Sequence, residues 1–331
     1  MTQRLLGVGG DAAGMSAASQ ARRRRGPDDL EIVAFERGRY TSYSACGIPY
    51  LVGGVVTDPG RLIARDPDTF RSRYAIGVHL RHEVTAIDLD RRGLRVRDLD
   101  GGSERAEPFD QLLVAAGAVP ARPGLPGADA AGIRGVQTLE DGLELQRLLD
   151  RERPTRAVVV GGGYIGLEMA EALVMRGLQV ALVEAGPQPM RTLDPDMGAL
   201  VADVLRHVGV RVYLGERVEG FAVAGGRAGR AVATAARTLP ADLVVLGLGA
   251  RPNSALAEQA GIPVGTTEGI RTDRRMRSLA DGVWAAGDCV ETTHLVSGRP
   301  VAIALGTHAN KQGRVAGINL GGGYATFSGV V

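Results

Sequence analysis

"RAVVVGGGYIGLEMAEALVMRGLQVALVEA", residues 156–185, decides how the rest of the chain is read. A short valine-rich run meets three glycines. A small-residue segment of helical length follows, and a second apolar run ends on Glu184. The order is strand, turn, helix, strand. Gly161, Gly163 and Gly166 have the G-x-G-x-x-G spacing. The first such glycine permits a tight turn, the second lets backbone approach a pyrophosphate, and the third lets helix and strand pack closely. Tyr164 and Ile165 then open the helix, whose free N–H groups face the phosphates. Glu184 lies 21 residues past Gly163, where a carboxylate can accept from ribose hydroxyls. A carboxylate there repels a 2′-phosphate, and no arginine follows until Arg191, so the reading favours NADH over NADPH. The competing reading is a βαβ turn with no ligand.

The same pattern stands at the N-terminus. Residues 4–8 read as a strand and Gly7, Gly9 and Gly10 as the turn. Ala12 takes the third, small position, Ala13 follows, and a helix runs to about Arg24. "LEIVAFE" (30–36) is the next strand and ends on Glu36. "FDQLLVAAGAVP" (109–120) closes this unit at Ala116-Gly117. "ADLVVLGLGARPN" (241–253), with Gly249, closes the second. Between Leu80 and Leu99 the pattern alternates as antiparallel β. "VWAAGDCVE" gives a strand and turn, and "ALGTHANKQGRVAGINL" a helix. This alternation predicts an α/β fold with two Rossmann-like dinucleotide-binding domains. Residues 1–120 and 254–331 form one and 121–253 the other, crossing in the Pro/Gly-rich 119–132. Two such folds suggest two dinucleotides, and a flavin in one could pass hydride from a nicotinamide in the other to an acceptor.

Bulk properties fit this organisation. The 331 residues suit two domains, and a net charge of +2 gives no field to recruit nucleic acid or an acidic membrane. The N-terminal apolar run is too short for a signal peptide, and none reaches the roughly 18 residues of a spanning helix. Two cysteines cannot build a disulfide framework and fit a reducing cytoplasm. No metal site is expected. Lys311 is the sole lysine, which reads as compositional bias.

The acceptor question rests on "TSYSACGIPY" (41–50), which places Cys46 alone before Gly47-Ile48-Pro49. Proline suits a first helical turn, and a helix N-terminus favours a thiolate. Together these residues resemble the pyridine nucleotide-disulfide oxidoreductases over essentially the whole chain. The resemblance rests on both glycine turns with Glu36 and Glu184, "AAG" at 115–117, and "AAGDCVE" at 285–291. It implies a glutathione-reductase-like, three-layer ββα/βα architecture, with FAD in the first domain. Asp288 would bind the flavin ribityl chain, Val84 would contact adenine through its backbone, and Cys289 would pack beside FAD. The single cysteine in S-[FY]-x-x-C-G-x-P matches the branch of NADH oxidases, NADH peroxidases, coenzyme A-disulfide reductases and persulfide reductases. Cys46 would be the redox-active residue.

Oxidases and peroxidases of that branch place a histidine where this chain has Ala12, which cannot move a proton to peroxide. The resemblance therefore implies an NADH-preferring reductase of a low-molecular-weight disulfide or persulfide, with coenzyme A disulfide foremost. Its substrate contacts carry over to Ser16, Gln20, Arg23, Ser42 and His308. Arg22 to Arg25 form a positive cluster fit for phosphates, or simply for a helix C-terminus in water. Ala45 and Tyr74 replace an asparagine and a lysine of the family pattern. Family members continue with a further domain of about a hundred residues that forms the homodimer, and the sequence ends without it. The rivals are an NADH oxidase reducing oxygen and a redox-sensing flavoprotein without turnover.

Overall fold

The computed structural model describes residues 2–130, 132–224 and 227–331. Two compact units emerge. The first comprises Met1–Tyr43, Ile63–Val119 and Arg251–Val331, the second Ser44–Leu62 and Pro120–Ala250.

The core of the first unit is a five-stranded parallel sheet. Its spatial order is Val283–Ala285, Gln111–Val114, Gln3–Val8, Leu30–Glu36, Ile76–Leu80. Leu5, Leu6, Ile32, Leu112 and Val283 are buried, as strands covered on both faces require. The chain leaves the central strand and turns at Gly9–Asp11 into the helix Ala12–Arg24. That helix lies against the last one, Gly306–Leu320, almost backbone to backbone. A β-carbon on Gly313 would stand 2.3 Å from Ala13 O, and one on Gly317 2.2 Å from Ala17 O. An antiparallel meander, His82–Asp88, Gly93–Asp98 and Glu104–Pro108, completes the unit.

The second unit repeats the plan. Its parallel sheet runs Arg211–Leu214, Gln179–Glu184, Arg156–Val160, Leu243–Leu246, Ile133–Gly135. Again the central strand feeds a glycine turn, here followed by the helix Tyr164–Met175. Its own meander is Val218–Ala224, Arg227–Thr234 and Thr238–Pro240. The helix Leu139–Glu152 opens on a capping box in which Thr138 and Asp141 satisfy each other's backbone N–H. Such a sheet presents its ligand crevice at the carboxyl ends of the strands, where the connections diverge from the central strand.

One segment groups differently from the sequence reading. Ser44–Leu62, which carries Cys46, belongs with the second unit instead of the first. Its helix Ile48–Val52 buries Ile48, Leu51 and Val52. Gly142 receives Ile48, and Gln146 Nε2 donates to Leu51 O at 3.3 Å. Among the described residues no helix is long and apolar enough to cross a membrane.

Candidate functional site

The first glycine turn opens at Gly9. Its φ is +101°, and a β-carbon there would stand 2.1 Å from Ala115 O. Five residues on, Gly14 sits in the helix with its would-be β-carbon 2.1 Å from Gly9 O. Both positions exclude any side chain. The frame read from sequence is therefore corrected by two residues. Gly7 lies inside the strand Gln3–Val8, where a β-carbon would meet Ala34 Cβ at an ordinary 3.6 Å. Ala12 and Ala13 begin the helix, and the close-packing residue is Gly14, not Ala12.

The second turn is its twin. Gly161 has φ +104° and would place a β-carbon 2.4 Å from Gly247 O. The same offset that carries Gly9 to Gly161 carries Gly14 to Gly166, whose β-carbon would reach within 1.9 Å of Gly161 O. It also sets Asp11 opposite Gly163, so an aspartate stands at the N-cap position of one helix, its side chain making no capping bond, where a glycine stands at the other.

The acidic residues are held alike. Glu36 accepts from Gly10 N–H through Oε2 and from Gly38 N–H through Oε1, both at 2.8 Å. Glu184 accepts from Gly162 N–H at 2.7 Å through Oε2 and from Gly186 N–H at 2.6 Å through Oε1. Each carboxylate is fixed at the mouth of its turn with lone pairs left for ribose hydroxyls. Around the second turn Tyr164, Ile165 and Leu248 are exposed apolar side chains, and Gly249 has φ +85°.

In the first unit Gly287 fits between the opening turns of two helices. A β-carbon on it would lie 2.8 Å from Ala13 Cβ and 3.7 Å from Ala309 Cβ. Gln312, itself buried, accepts from Gly287 N–H at 2.8 Å. The next residue, Asp288, has a buried Oδ1 without a hydrogen-bond partner, as has His308 Nδ1. A buried polar atom without a partner costs free energy until a ligand supplies one. Asn253 pins the Ala116-Gly117 loop, donating from Nδ2 to Ala116 O at 3.1 Å and from its N–H to Gly117 O at 3.0 Å. Val84 is buried in its strand. A glycine turn, a ribose-type carboxylate and an orphaned acceptor make this unit fit a flavin dinucleotide.

Burial pushes the Asp288 carboxyl up to about 6, with the Leu305 N–H opposing. Asp11 also rises to about 6, first through desolvation and then through the Glu36 charge, while Tyr43 N–H pulls it down. A carboxyl raised in the folded state stabilises that state only while protonated. The flavin-free protein should therefore lose stability as pH rises from about 4 to 6, where the unfolded chain has released protons the folded one still holds. Replacing Asp11 and Asp288 by asparagine should flatten the melting temperature across that window. An unchanged slope would count against this account.

The two thiols differ sharply. Cys289 is fully buried, its Sγ 3.4 Å from Ala286 O, and burial pushes its pKa up to about 12. Cys46 is exposed, in the turn Ala45–Gly47 that leads into Ile48–Val52, with Pro49 in its first turn. Upstream, the Thr41 hydroxyl donates to Gly10 O and Tyr43 N–H donates to Asp11 Oδ1 at 3.3 Å. The approach to Cys46 is thus fastened to the first glycine turn.

The substrate candidates have separate fates. Ser16 Oγ donates to Asn310 Oδ1 at 2.7 Å, so it faces the last helix. Gln20 is partly exposed. Ser42 adopts φ +50° and accepts from Ala64 N–H at 2.8 Å. Arg22 is spent on Tyr74 O and Ala75 O, Arg25 on Gln3 and Asp29 O, and Arg24 lies against Gly321 and Gly323. Arg23 and Arg24 are both exposed with no bonded side-chain partner among the described residues, and of the two only Arg24 lies against other chain segments. Asp11, Gly14, Thr41 and Gln312 escaped the sequence reading. The offset between the two glycine turns was the available signal for the first two.

The model of the pyridine nucleotide-disulphide oxidoreductases matches residues 4–313. The chain belongs to that family. It is 37% identical over 327 residues to the "NAD(P)H sulfur oxidoreductase (CoA-dependent)" of Pyrococcus abyssi, covering 98% of this chain and 71% of that protein. The NAD-dependent persulfide reductase of A. fulgidus superposes with a TM-score of 0.94 at 38% identity, over 99% of this chain. This chain spans only 61% of that reductase's length. An engineered NADPH oxidase derived from the Lactobacillus brevis NADH oxidase superposes at 0.91 with 30% identity, over 98% of this chain and 71% of its own. Bound to NADPH, that variant has an aspartate exchanged for alanine and, seven positions on, a proline exchanged for arginine.

Proposed function

We propose that this oxidoreductase uses NAD(P)H and FAD to reduce a low-molecular-weight disulfide or persulfide, foremost one based on coenzyme A, at Cys46. The observation that carries the reading is the lone exposed thiol of Cys46, three residues beyond Tyr43, which is tied to Asp11 at the first glycine turn. Between these residues a bound flavin would supply two-electron transfer from the nicotinamide to sulfur. Glu36 and Asp288 would orient FAD, and Glu184 with the Gly161–Gly166 turn would orient the nicotinamide dinucleotide. The Cys46 thiolate would attack the substrate S–S bond, forming a mixed disulfide or persulfide as that bond breaks and expels the carrier thiolate, and two electrons would then cleave the new S–S bond to free the Cys46 thiolate and a second thiolate or sulfide. Arg23, free of internal partners, suits a phosphate of the carrier.

Seven positions also separate Glu184 from Arg191, which supports NADPH beside NADH as donor. Ala12 offers no proton to oxygen or peroxide, so oxygen reduction is the weaker reading.

The test mixes NADH-reduced protein with coenzyme A disulfide, a coenzyme A persulfide or oxygen in a stopped-flow cell. Flavin reoxidation should be at least about tenfold faster with a sulfur acceptor than with oxygen. Faster reoxidation by oxygen alone would make the protein an oxidase. No reoxidation by any acceptor would favour a sensor.

A further inference from the structure

We propose that the helix Pro195–His207 of the second unit is an association surface, on which the same helix of a second copy of this chain docks antiparallel. The inference stands apart from the chemistry proposed above and uses none of its residues.

Pro195 opens the helix after Asp194, the position at which a missing N–H costs nothing. Gly198, Ala202 and Leu205 are its buried residues, so one narrow stripe faces the interior. Beside it runs a second apolar stripe that faces water. Met197, Leu200, Val204 and Val208 are 49%, 58%, 62% and 42% exposed. Their spacing of three, four and four residues keeps them on one side of the helix over three turns. A single exposed leucine needs no explanation. Four large apolar side chains in register form a patch, and such patches mark contacts.

The charges around the stripe select its occupant. Asp196 stands in the first turn, Arg206 and His207 in the last. Arg206 is already paired with Asp203 at 2.8 Å, which leaves His207 as the basic group this contact uses. Asp196 and His207 are eleven residues apart, three turns, and so share one flank of the stripe. A two-fold contact requires a patch that is its own complement. This one is, if the helices run antiparallel. Met197 then meets the other copy's Val208, Leu200 and Val204 interdigitate at the centre, and each Asp196 comes to the other copy's His207. An imidazole N–H can donate to that carboxylate in either protonation state. Parallel pairing would set acid against acid, which costs affinity. An anionic lipid surface fits worse, because Asp194, Asp196 and Asp203 are all exposed on this helix and its approach.

The test sediments the FAD-loaded chain over a range of concentrations. The wild type should pass from monomer to dimer between about 1 and 200 µM, as a small helix-on-helix interface allows. Leu200→Glu and Val204→Glu should each weaken dimerisation at least about tenfold, because the two-fold axis puts every such charge into the contact twice. Asp196→Lys should weaken it about threefold or more, and adding His207→Asp should restore it by exchanging the two charges. Flavin absorbance per chain and melting temperature should stay at wild-type values in all four variants, which separates a surface role from a folding one. A wild type that remains monomeric overturns the proposal and leaves the stripe to another occupant. A dimer that survives both glutamate substitutions places the contact elsewhere and overturns it too. Failure of the charge exchange to restore association overturns the antiparallel docking.

Discussion

Cys46→Ser should lower acceptor-dependent NAD(P)H turnover by at least about 10³-fold, the scale on which an enzyme loses its nucleophile. A serine hydroxyl cannot form the mixed disulfide, and no other sulfur can replace it. Cys289 is the only other cysteine, and it is buried with its pKa pushed up to about 12. Burial keeps such a thiol protonated at neutral pH, and none of it meets solvent. The flavin spectrum and its bleaching by NADH are expected to remain, because Glu36, Asp288 and Glu184 are untouched. Steady-state assays with coenzyme A disulfide, beside anaerobic NADH titration of the same sample, separate the two half-reactions. Turnover surviving in the variant would sink the thiol mechanism and leave direct flavin chemistry as the explanation.

Much of the scaffold is legible in the sequence because parallel strands buried on both faces are near-continuous apolar runs. Leu30–Glu36 and Gln179–Glu184 stand where the runs predict them, each ending on its acidic residue. The helix Leu139–Glu152 carries a readable signal in Thr138 and Asp141 that passed unread. Other features have no local signature. Arg22 to Arg25 are four identical letters, and what separates them is where the carbonyls of Tyr74 and Ala75 come to lie, some fifty residues away. The grouping of Ser44–Leu62 with the second unit depends on Ile48 meeting Gly142, a contact across about ninety residues of chain. Arg191 looked too far along the chain to matter beside Glu184. The turn at Met190 brings it back.

The glycine frame gives the second large effect, because spacing alone could not fix it. "GVGGDAAG" (7–14) satisfies the dinucleotide spacing in the register Gly7, Gly9 and Ala12, whereas the register Gly9 to Gly14 carries Asp11 in place of its second glycine, and backbone geometry overrules the spacing. Gly9→Ala puts a methyl 2.1 Å from Ala115 O at a φ of +101°, which two central strands must move to relieve. That should cost roughly 3 kcal/mol or more and abolish flavin retention through purification. Gly7→Ala, by contrast, adds a methyl at ordinary contact distance in a strand, and should change stability by less than about 1 kcal/mol with flavin retained. The twin turn supplies an internal control. Gly161→Ala should leave the protein yellow but slow flavin reduction by NADH at least about a hundredfold, since its methyl meets Gly247 O within the second unit and leaves the first unit's turn untouched. Flavin absorbance per chain, thermal melting and stopped-flow reduction of the three variants check all three outcomes. Flavin lost from Gly7→Ala and kept by Gly9→Ala would restore the frame read from spacing. Flavin lost from Gly161→Ala would show that the two turns do not serve separate ligands.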